Sequence, residues 1–251
     1  MELQNRTALI VGGTSGIGLG LARRLRDLGG TVVVGGRRRD RFSDLEAEGL
    51  GTVEIDVTDG ASVTDARDDV LAQHPQLDLV VAMSGVMLTE DLRDPAHFDA
   101  AQRSIETNLL GTIRVTDAFT PHLIARGAGA LVTVSSGIAF LPFPLMASYA
   151  ASKAGVHAYT EALRAQLAGT GVEVVELVPP AVATAGQEKV NPHALPLDGF
   201  LDEVLSLLAQ EPTPNEVLVQ GVQMHRWAER DGRYADLVAQ RSQALQQLPG
   251  R

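Results

Sequence analysis

The chain contains no cysteine, which excludes disulfides and thiolate metal sites and suits a reducing compartment. It also lacks surplus positive charge: 21 Lys and Arg stand against 31 Asp and Glu, a formal net charge of −10. Phosphate binding without sequence preference wants a basic surface, so a nucleic-acid binder is set aside. No apolar run approaches the ~18 residues of a membrane span. The polar opening Met1-Glu2-Leu3-Gln4-Asn5-Arg6 does not read as a signal peptide. The expectation is a cytoplasmic protein with neither nucleic-acid nor membrane partners. Internal repeats, low-complexity tracts and linker-like stretches are missing too, so the 251 residues read as one domain, 1–251.

What is present is an alternation of short apolar runs with helical patterns. Strands are expected at Thr7 to Val11, Thr31 to Gly36, Thr52 to Val57, Asp78 to Met83, Gly129 to Ser136, Val172 to Val178 and Glu216 to Gln220. The clearest helices are Ser104 to Arg126 and Tyr149 to Leu167. Continuously apolar strands that alternate with helices indicate a parallel sheet covered on both faces. The fold class is α/β, a doubly wound Rossmann-type sheet of about seven strands. The proline-rich stretch from Pro179 to Pro214 reads as loops around one helix.

Between the first strand and the first helix lies Ile10-Val11-Gly12-Gly13-Thr14-Ser15-Gly16-Ile17-Gly18. Glycines at Gly12, Gly16 and Gly18 permit a tight turn and close approach of a pyrophosphate to the backbone, with a helix N-terminus beyond that favours negative charge. An acid at the end of the second strand would receive a ribose diol. The sequence there is Gly36-Arg37-Arg38-Arg39, with no acid until Asp40. Guanidinium groups match a phosphate in charge and geometry. NADP(H) is therefore favoured and NAD(H) is the alternative, with Arg37 the first expected contact and Arg38 the second; Ser15 brings no basic group to the turn.

Tyr149 precedes Lys153 by four residues, so on a helix the phenol and the ammonium share a face, and Ala150, Ala151 and Ala154 leave that face nearly bare. A nearby cation brings a phenol of pKa ~10 towards a working proton donor. With Gly12, Gly16, Gly18, Asp56, Val57, Asn108 and Ser136 in order along the chain, the sequence resembles the classical short-chain dehydrogenases/reductases. Gly12 to Gly18 and Pro179 to Thr184 are similar to the DltE-like branch of that family.

The resemblance implies a role for each matching residue. Tyr149 is the expected general acid in carbonyl reduction or base in alcohol oxidation. Lys153 lowers the phenol's pKa and binds the nicotinamide ribose, Ser136 hydrogen-bonds the substrate oxygen, and Asn108 helps hold a water linking Lys153 to solvent. Asp56 contacts the adenine with Val57 beside it, and Thr184 meets the carboxamide end of the nicotinamide. Thr14, Ser15, Ile17, Ser84, Gly85, Pro179 and Val182 complete the expected cofactor contacts. A homodimer or homotetramer built on the helices containing Asn108 and Tyr149 is also implied.

Three positions depart from the family's pattern: Val11 in place of threonine, Ala82-Met83-Ser84-Gly85 in place of Asn-Asn-Ala-Gly, and Pro179-Pro180 in place of Pro-Gly. None removes a proton-transfer group. Between Ser136 and Tyr149 the apolar Ile138, Phe140, Leu141, Phe143, Leu145 and Met146, with Met87 and Leu88, suggest a small apolar carbonyl or alcohol as substrate, some of these residues being core. Residues 185–199 are the expected substrate loop, a lid in the family. The tail, 222–251, carries Met224, Trp227, Tyr234 and Leu237 at helix-compatible spacing. His157 and His193 have no second ligand at a helpful spacing, so no metal is expected. The leading reading is an NADP-dependent oxidoreductase interconverting carbonyl and alcohol; a nucleotide-sensing regulatory protein and a non-redox dehydratase or epimerase are the alternatives.

Overall fold

The computed structural model describes residues 1–184 and 194–250. Seven parallel strands make one sheet: β1 (Thr7–Val11), β2 (Thr31–Gly36), β3 (Gly51–Glu54), β4 (Leu79–Ala82), β5 (Gly129–Val134), β6 (Val172–Leu177) and β9 (Glu216–Val217). Their spatial order is β3-β2-β1-β4-β5-β6-β9. The order reverses between β1 and β4, where Val11 pairs with Gly35 on one side and Ala82 on the other. Such a switch point leaves a crevice beyond the carboxyl ends of the strands. Strands β7 (Val182–Ala183) and β8 (Leu195–Pro196) form a small parallel pair apart from the main sheet, which the sequence reading did not anticipate.

The sheet is apolar on both faces because successive side chains alternate between two cores. Ala8 and Ile10 pack with Leu21 and Leu25 of α1 (Gly16–Asp27) and with Phe200, Leu201 and Val204 of α7 (Leu197–Leu208). Leu9 and Val11 pack with Val63, Ala66 and Val70 of α3 (Gly60–Gln73) and with Val115, Phe119 and Leu123 of α5 (Gly111–Arg126). Val11, the first departure, is wholly buried there. The remaining helices are α2 (Phe42–Ala47), α4 (Phe98–Ser104), α6 (Ala147–Gln166), α8 (Gln223–Arg226) and α9 (Tyr234–Ser242).

Helix ends follow local chemistry. Asp59 caps α3 by accepting from the Ala61 amide at 2.9 Å, and Gly127 ends α5 in the left-handed region. The helix expected from Ser104 to Arg126 is divided: a π-helical turn, Ile105–Leu110, separates α4 from α5. Such turns concentrate at functional sites, and this one carries Asn108. Several expected strands end sooner than their apolar runs. Ile55 and Val57 stay buried after leaving β3, and the last strand stops at Val217 instead of Gln220. Burial continued past the ladder, so hydrophobicity alone overstated strand length.

The tail forms two short helices, broken at Gly232, in place of one. It packs inward: Leu237 and Ala228 bury Leu141 of the loop before α6. Of the expected substrate loop, 185–193 lies outside the described residues, and its far end is not loop, because α7 begins at Leu197.

Candidate active site

β1 delivers the chain to Gly12 at φ +91°, where any Cβ would lie 2.7 Å from the Ser84 backbone nitrogen. Only glycine lets the ends of β1 and β4 approach this closely. Gly16, Ile17 and Gly18 form the first turn of α1, and Ser15 precedes it in extended conformation without a capping side-chain bond. The amides of that turn therefore remain available to an anion. A cavity of about 400 Å³ opens here. Gly12, Thr14, Ser15, Arg37, Arg38, Asp56, Val57, Ser84 and Gly85 line it, as expected from sequence, together with Gly36, Ile55, Met83, Val86 and Thr107, which were not.

At one end of this cavity the arginines differ in reach. Arg38 donates to Thr14 Oγ1 at 3.0 Å and to Ser15 Oγ, so it lies directly across the glycine turn. Arg37 stands 3.8 Å from Asp56 and is 64 % exposed. The expected ranking of Arg37 over Arg38 is thus not what the geometry favours. Asp56 Oδ1 accepts from the Thr58 amide at 2.9 Å and the Thr58 hydroxyl at 2.7 Å. Burial pushes the Asp56 carboxyl up, but the Thr58 bonds and Arg37 more than offset this and hold it below its usual range.

Behind Gly85 the surroundings are drier. Lys153 is 4 % exposed and donates to the Val134 carbonyl at 2.7 Å. Desolvation lowers its pKa to about 8, with the charge of Glu176 opposing the fall. Its Nζ stands 5.9 Å from the centre of the Tyr149 ring, so the two share a helix face as the spacing required. Burial raises the pKa of the Tyr149 phenol, and the neighbouring Ser136 hydroxyl opposes that rise without cancelling it. The expectation that Lys153 brings the phenol down is not met in this state; desolvation is the larger effect, and the ammonium is turned onto a backbone carbonyl.

Asn108 is wholly buried and acts as a clamp. Its side chain accepts from the Val86 amide at 2.8 Å, donates to the Val86 carbonyl at 2.9 Å and donates to Ser152 Oγ at 3.0 Å. Ser152 in turn donates to the Tyr149 carbonyl at 2.7 Å. A Cβ on Gly85 would lie 3.3 Å from Asn108 Oδ1 and 3.8 Å from Lys153 Nζ, so these groups meet where the cavity passes Gly85. Asn108 thus fixes the segment after β4 to the helix of Tyr149. Pro179 ties the end of β6 to the same place, its carbonyl accepting from the Gly137 amide at 2.9 Å and from Ser136 Oγ at 3.4 Å. Thr184 abuts the glycine turn, 3.3 Å from where a Cβ on Gly16 would be, while Val182 is buried in the small strand pair with Leu195.

Three further residues were not expected. Glu90 is buried and accepts from the Ser148 amide and hydroxyl, each at 2.7 Å, anchoring the start of α6 beside Tyr149. His225 packs behind Ser136, its ring 3.1 Å from where a Cβ on Gly137 would be; burial and Arg241 push its pKa down to about 4. Glu176 of β6 is buried and bonded to His157 of α6, Oε2 to Nδ1 at 2.7 Å. Only the last left a trace in sequence: β6 carries two carboxylates, Glu173 and Glu176, and the fold buries the second.

Of the apolar loop, Leu141 and Leu145 are buried, and Phe140 is held edge-on to His157 at 4.7 Å and under the Arg226 guanidinium at 4.5 Å. Ile138, Phe143 and Met146 stay partly exposed, and Met87 is exposed. The expectation that His157 has no second ligand nearby is corrected: ligand atoms of His157, Glu161 and Glu216 all lie within 4.8 Å. Glu161 stands at i+4 on α6 and Glu216 arrives from β9. Glu216, however, already accepts from Arg226 at 2.6 and 2.9 Å, and His157 Nδ1 meets Glu176 at 2.7 Å, so the cluster is an ion-pair network. His193 lies outside the described residues.

Comparison with known proteins agrees with this geometry. Residues 6–195 match the short chain dehydrogenase family. An uncharacterized oxidoreductase, DltE, of Bacillus subtilis is 34% identical over 194 residues, which are 75% of this chain and 76% of the relative. Sulfoacetaldehyde reductase 2 of Chromohalobacter salexigens is 34% identical over 177 residues, 68% of this chain and 70% of the relative. A short chain dehydrogenase from Burkholderia cenocepacia, solved in complex with NADP, superposes with a TM-score of 0.83 at 27% identity, covering 95% of this chain and 99% of that one. Sheet order, glycine turn and sequence match concur, and the chain belongs to the short-chain dehydrogenase family of NAD(P)-dependent oxidoreductases.

Proposed function

We propose that the protein is an NADP-dependent oxidoreductase that interconverts a small apolar carbonyl compound and its alcohol at Ser136, Tyr149 and Lys153. The observation that carries this reading is the Tyr149 ring and the buried Lys153 ammonium held 5.9 Å apart on one face of α6, next to Gly85 of the glycine-turn cavity. The cavity suits a dinucleotide phosphate in its donor set: a backbone cradle at Gly12 that a Cβ would fill, the open amides of α1, and Arg38 across the turn. Gly12, Thr14, Ser15, Gly16, Ile17 and Gly18 would hold the pyrophosphate. Arg38, then Arg37, would meet a ribose phosphate, and Asp56 and Val57 the adenine. Ser84 and Gly85 would lie along the middle, with Pro179, Val182 and Thr184 at the nicotinamide end.

When bound, the reduced cofactor supplies a hydride. The chain's own residues supply the rest. Ser136 and Tyr149 together present two hydroxyls to one carbonyl oxygen, stabilising the alkoxide that develops there. Tyr149 gives its proton to that oxygen in reduction and accepts one in oxidation. Lys153 places positive charge beside the phenol, so the phenolate left after proton transfer is opposed by an ammonium in a dry site. Asn108 keeps the segment at Val86 and the helix of Tyr149 in fixed register. Ile138, Phe143, Met146 and Met87 are the apolar wall we assign to the substrate.

Exposed Phe98 and Leu110, on and after α4, support a homodimer or homotetramer built on the helices bearing Asn108 and Tyr149. The lack of cysteine and of any helix among the described residues long and apolar enough to cross a membrane supports a cytoplasmic location. The test of function is a screen of apolar ketones, aldehydes and secondary alcohols, followed at the reduced-nicotinamide absorbance band. Oxidation of NADPH that depends on an added carbonyl is expected. Substrate conversion without absorbance change would overturn net redox chemistry in favour of dehydration or epimerisation, and nucleotide binding without turnover of any substrate would favour a sensor.

A further inference from the structure

Resting on that reading of Lys153, we propose that Glu176, held by His157, is a positioning residue for the reaction: its buried carboxylate keeps the Lys153 ammonium in force beside Tyr149. Glu176 stands in β6, a strand whose other inward residues are aliphatic, and it is 0 % exposed. A charge so placed is costly unless it is paired. One of its oxygens is satisfied: Oε2 meets His157 Nδ1 at 2.7 Å. The other, Oε1, is buried without a hydrogen-bond partner among the described residues. Lys153 and His157 are four residues apart on α6 and so present one face to the sheet. His157 binds the carboxylate directly, and Lys153, one turn earlier, feels it through space while donating to Val134.

The other charges around Glu176 are already engaged or distant. Glu216, its register neighbour on β9, is closed by Arg226 of α8. Arg164 of α6 donates to the carbonyls of Val174 and Asn215. Glu161 of α6 is 57 % exposed and stands 3.9 Å from His157 Nε2. Across β5 the register partner is Thr133, which carries no charge. Lys153 reaches the carbonyl of Val134, the residue after Glu176's register partner Thr133, so ammonium and carboxylate converge at the ends of β5 and β6, and Glu176 is the charge that counters Lys153's desolvation. A pair kept only for packing could be replaced by aliphatic side chains without consequence for Lys153. A positioning pair could not.

The chain offers a direct test, because Lys153 and Lys189 are its only lysines. Uniform 13C-lysine labelling gives two side-chain signals, assigned with Lys189→Arg, and their titration needs no substrate. Lys153 is expected to titrate near 8 in the native chain. In Glu176→Gln it should fall by about one pH unit or more, the size of shift a lost neighbouring charge produces, while Glu176→Asp restores most of it and Lys189 does not move. Should Glu176→Gln fail to fold, the paired replacement Glu176→Met with His157→Leu keeps an apolar filling and must show the same fall. With a substrate in hand, the alkaline limb of kcat should move to lower pH in step, with the cofactor KM unchanged. A Lys153 titration unaltered in either folded variant would overturn the proposal. Absence of turnover in the native chain would overturn the oxidoreductase reading and leave the lysine titration to decide this one.

Discussion

The glycine-turn cavity and the buried cluster behind Gly85 use charge in opposite ways. At the turn of α1, Arg37 is mostly exposed and Arg38 bonds only to hydroxyls, so both guanidinium groups work in water, where salt screens them. Around Tyr149, Lys153 and Glu176 are buried, and a single charge there alters proton affinity and structure together. The difference teaches where specificity and chemistry reside. In the proposed function, the exposed arginines choose among nucleotides by modest, salt-dependent increments. In the proposed function, the buried cluster decides whether proton transfer occurs at all.

Substitutions can break this comparison, and the largest effect is expected at the buried end. Tyr149→Phe should cost ~10²–10⁴-fold in turnover, the usual contribution of a positioned acid or base, while nucleotide affinity stays as it was. Parallel loss of both, seen by steady-state kinetics beside calorimetry, would mean that Tyr149 serves binding. Next is Gly12→Val, which places a side chain on a backbone at φ +91° and 2.7 Å from Ser84 N. Nucleotide affinity should weaken by on the order of 100-fold, ~2.8 kcal/mol, in a chain that still unfolds cooperatively.

Smaller effects belong to exposed or half-buried groups. Arg38→Ala should weaken NADPH about tenfold, ~1.4 kcal/mol, leave NADH unchanged, and lose its effect as salt rises. An equal loss for both nucleotides would place Arg38 on the pyrophosphate. The smallest effect is on stability. Its hydrogen bond to Glu176 raises the pKa of His157 above 6.5. A raised folded-state pKa gives stability that is full below the unfolded value and is lost as pH climbs through the folded one. Thermal unfolding of the native chain should therefore decline by roughly 2 °C as pH rises above 6.5, and His157→Gln should abolish that decline.

Much of this architecture was legible because it is local. Apolar runs followed by helical patterns gave the parallel sheet, and Gly12, Gly16 and Gly18 marked the turn after β1. Tyr149 and Lys153 declared a shared face by spacing alone. What escaped was set by packing between distant segments. Asn108 in the π turn is bonded to Val86 and Ser152, neither close to it in sequence. The ranking of Arg38 over Arg37 depends on which guanidinium reaches Thr14, and strand periodicity cannot say. Glu161 and Glu216 gather at His157 only because α6 lies over β6 and β9 follows at the sheet edge. Glu176 and Glu173 stand in one strand, and sequence could not say that Glu176 is the buried one, bonded to His157 of α6.

The most direct test is calorimetric titration of the purified native chain with NADPH and with NADH at fixed low salt. The account predicts that both bind and that NADPH binds at least about tenfold more tightly, a difference of ~1.4 kcal/mol or more. Equal or tighter binding of NADH would overturn the role given to Arg38 and Arg37, and binding of neither nucleotide would contradict the account at its centre.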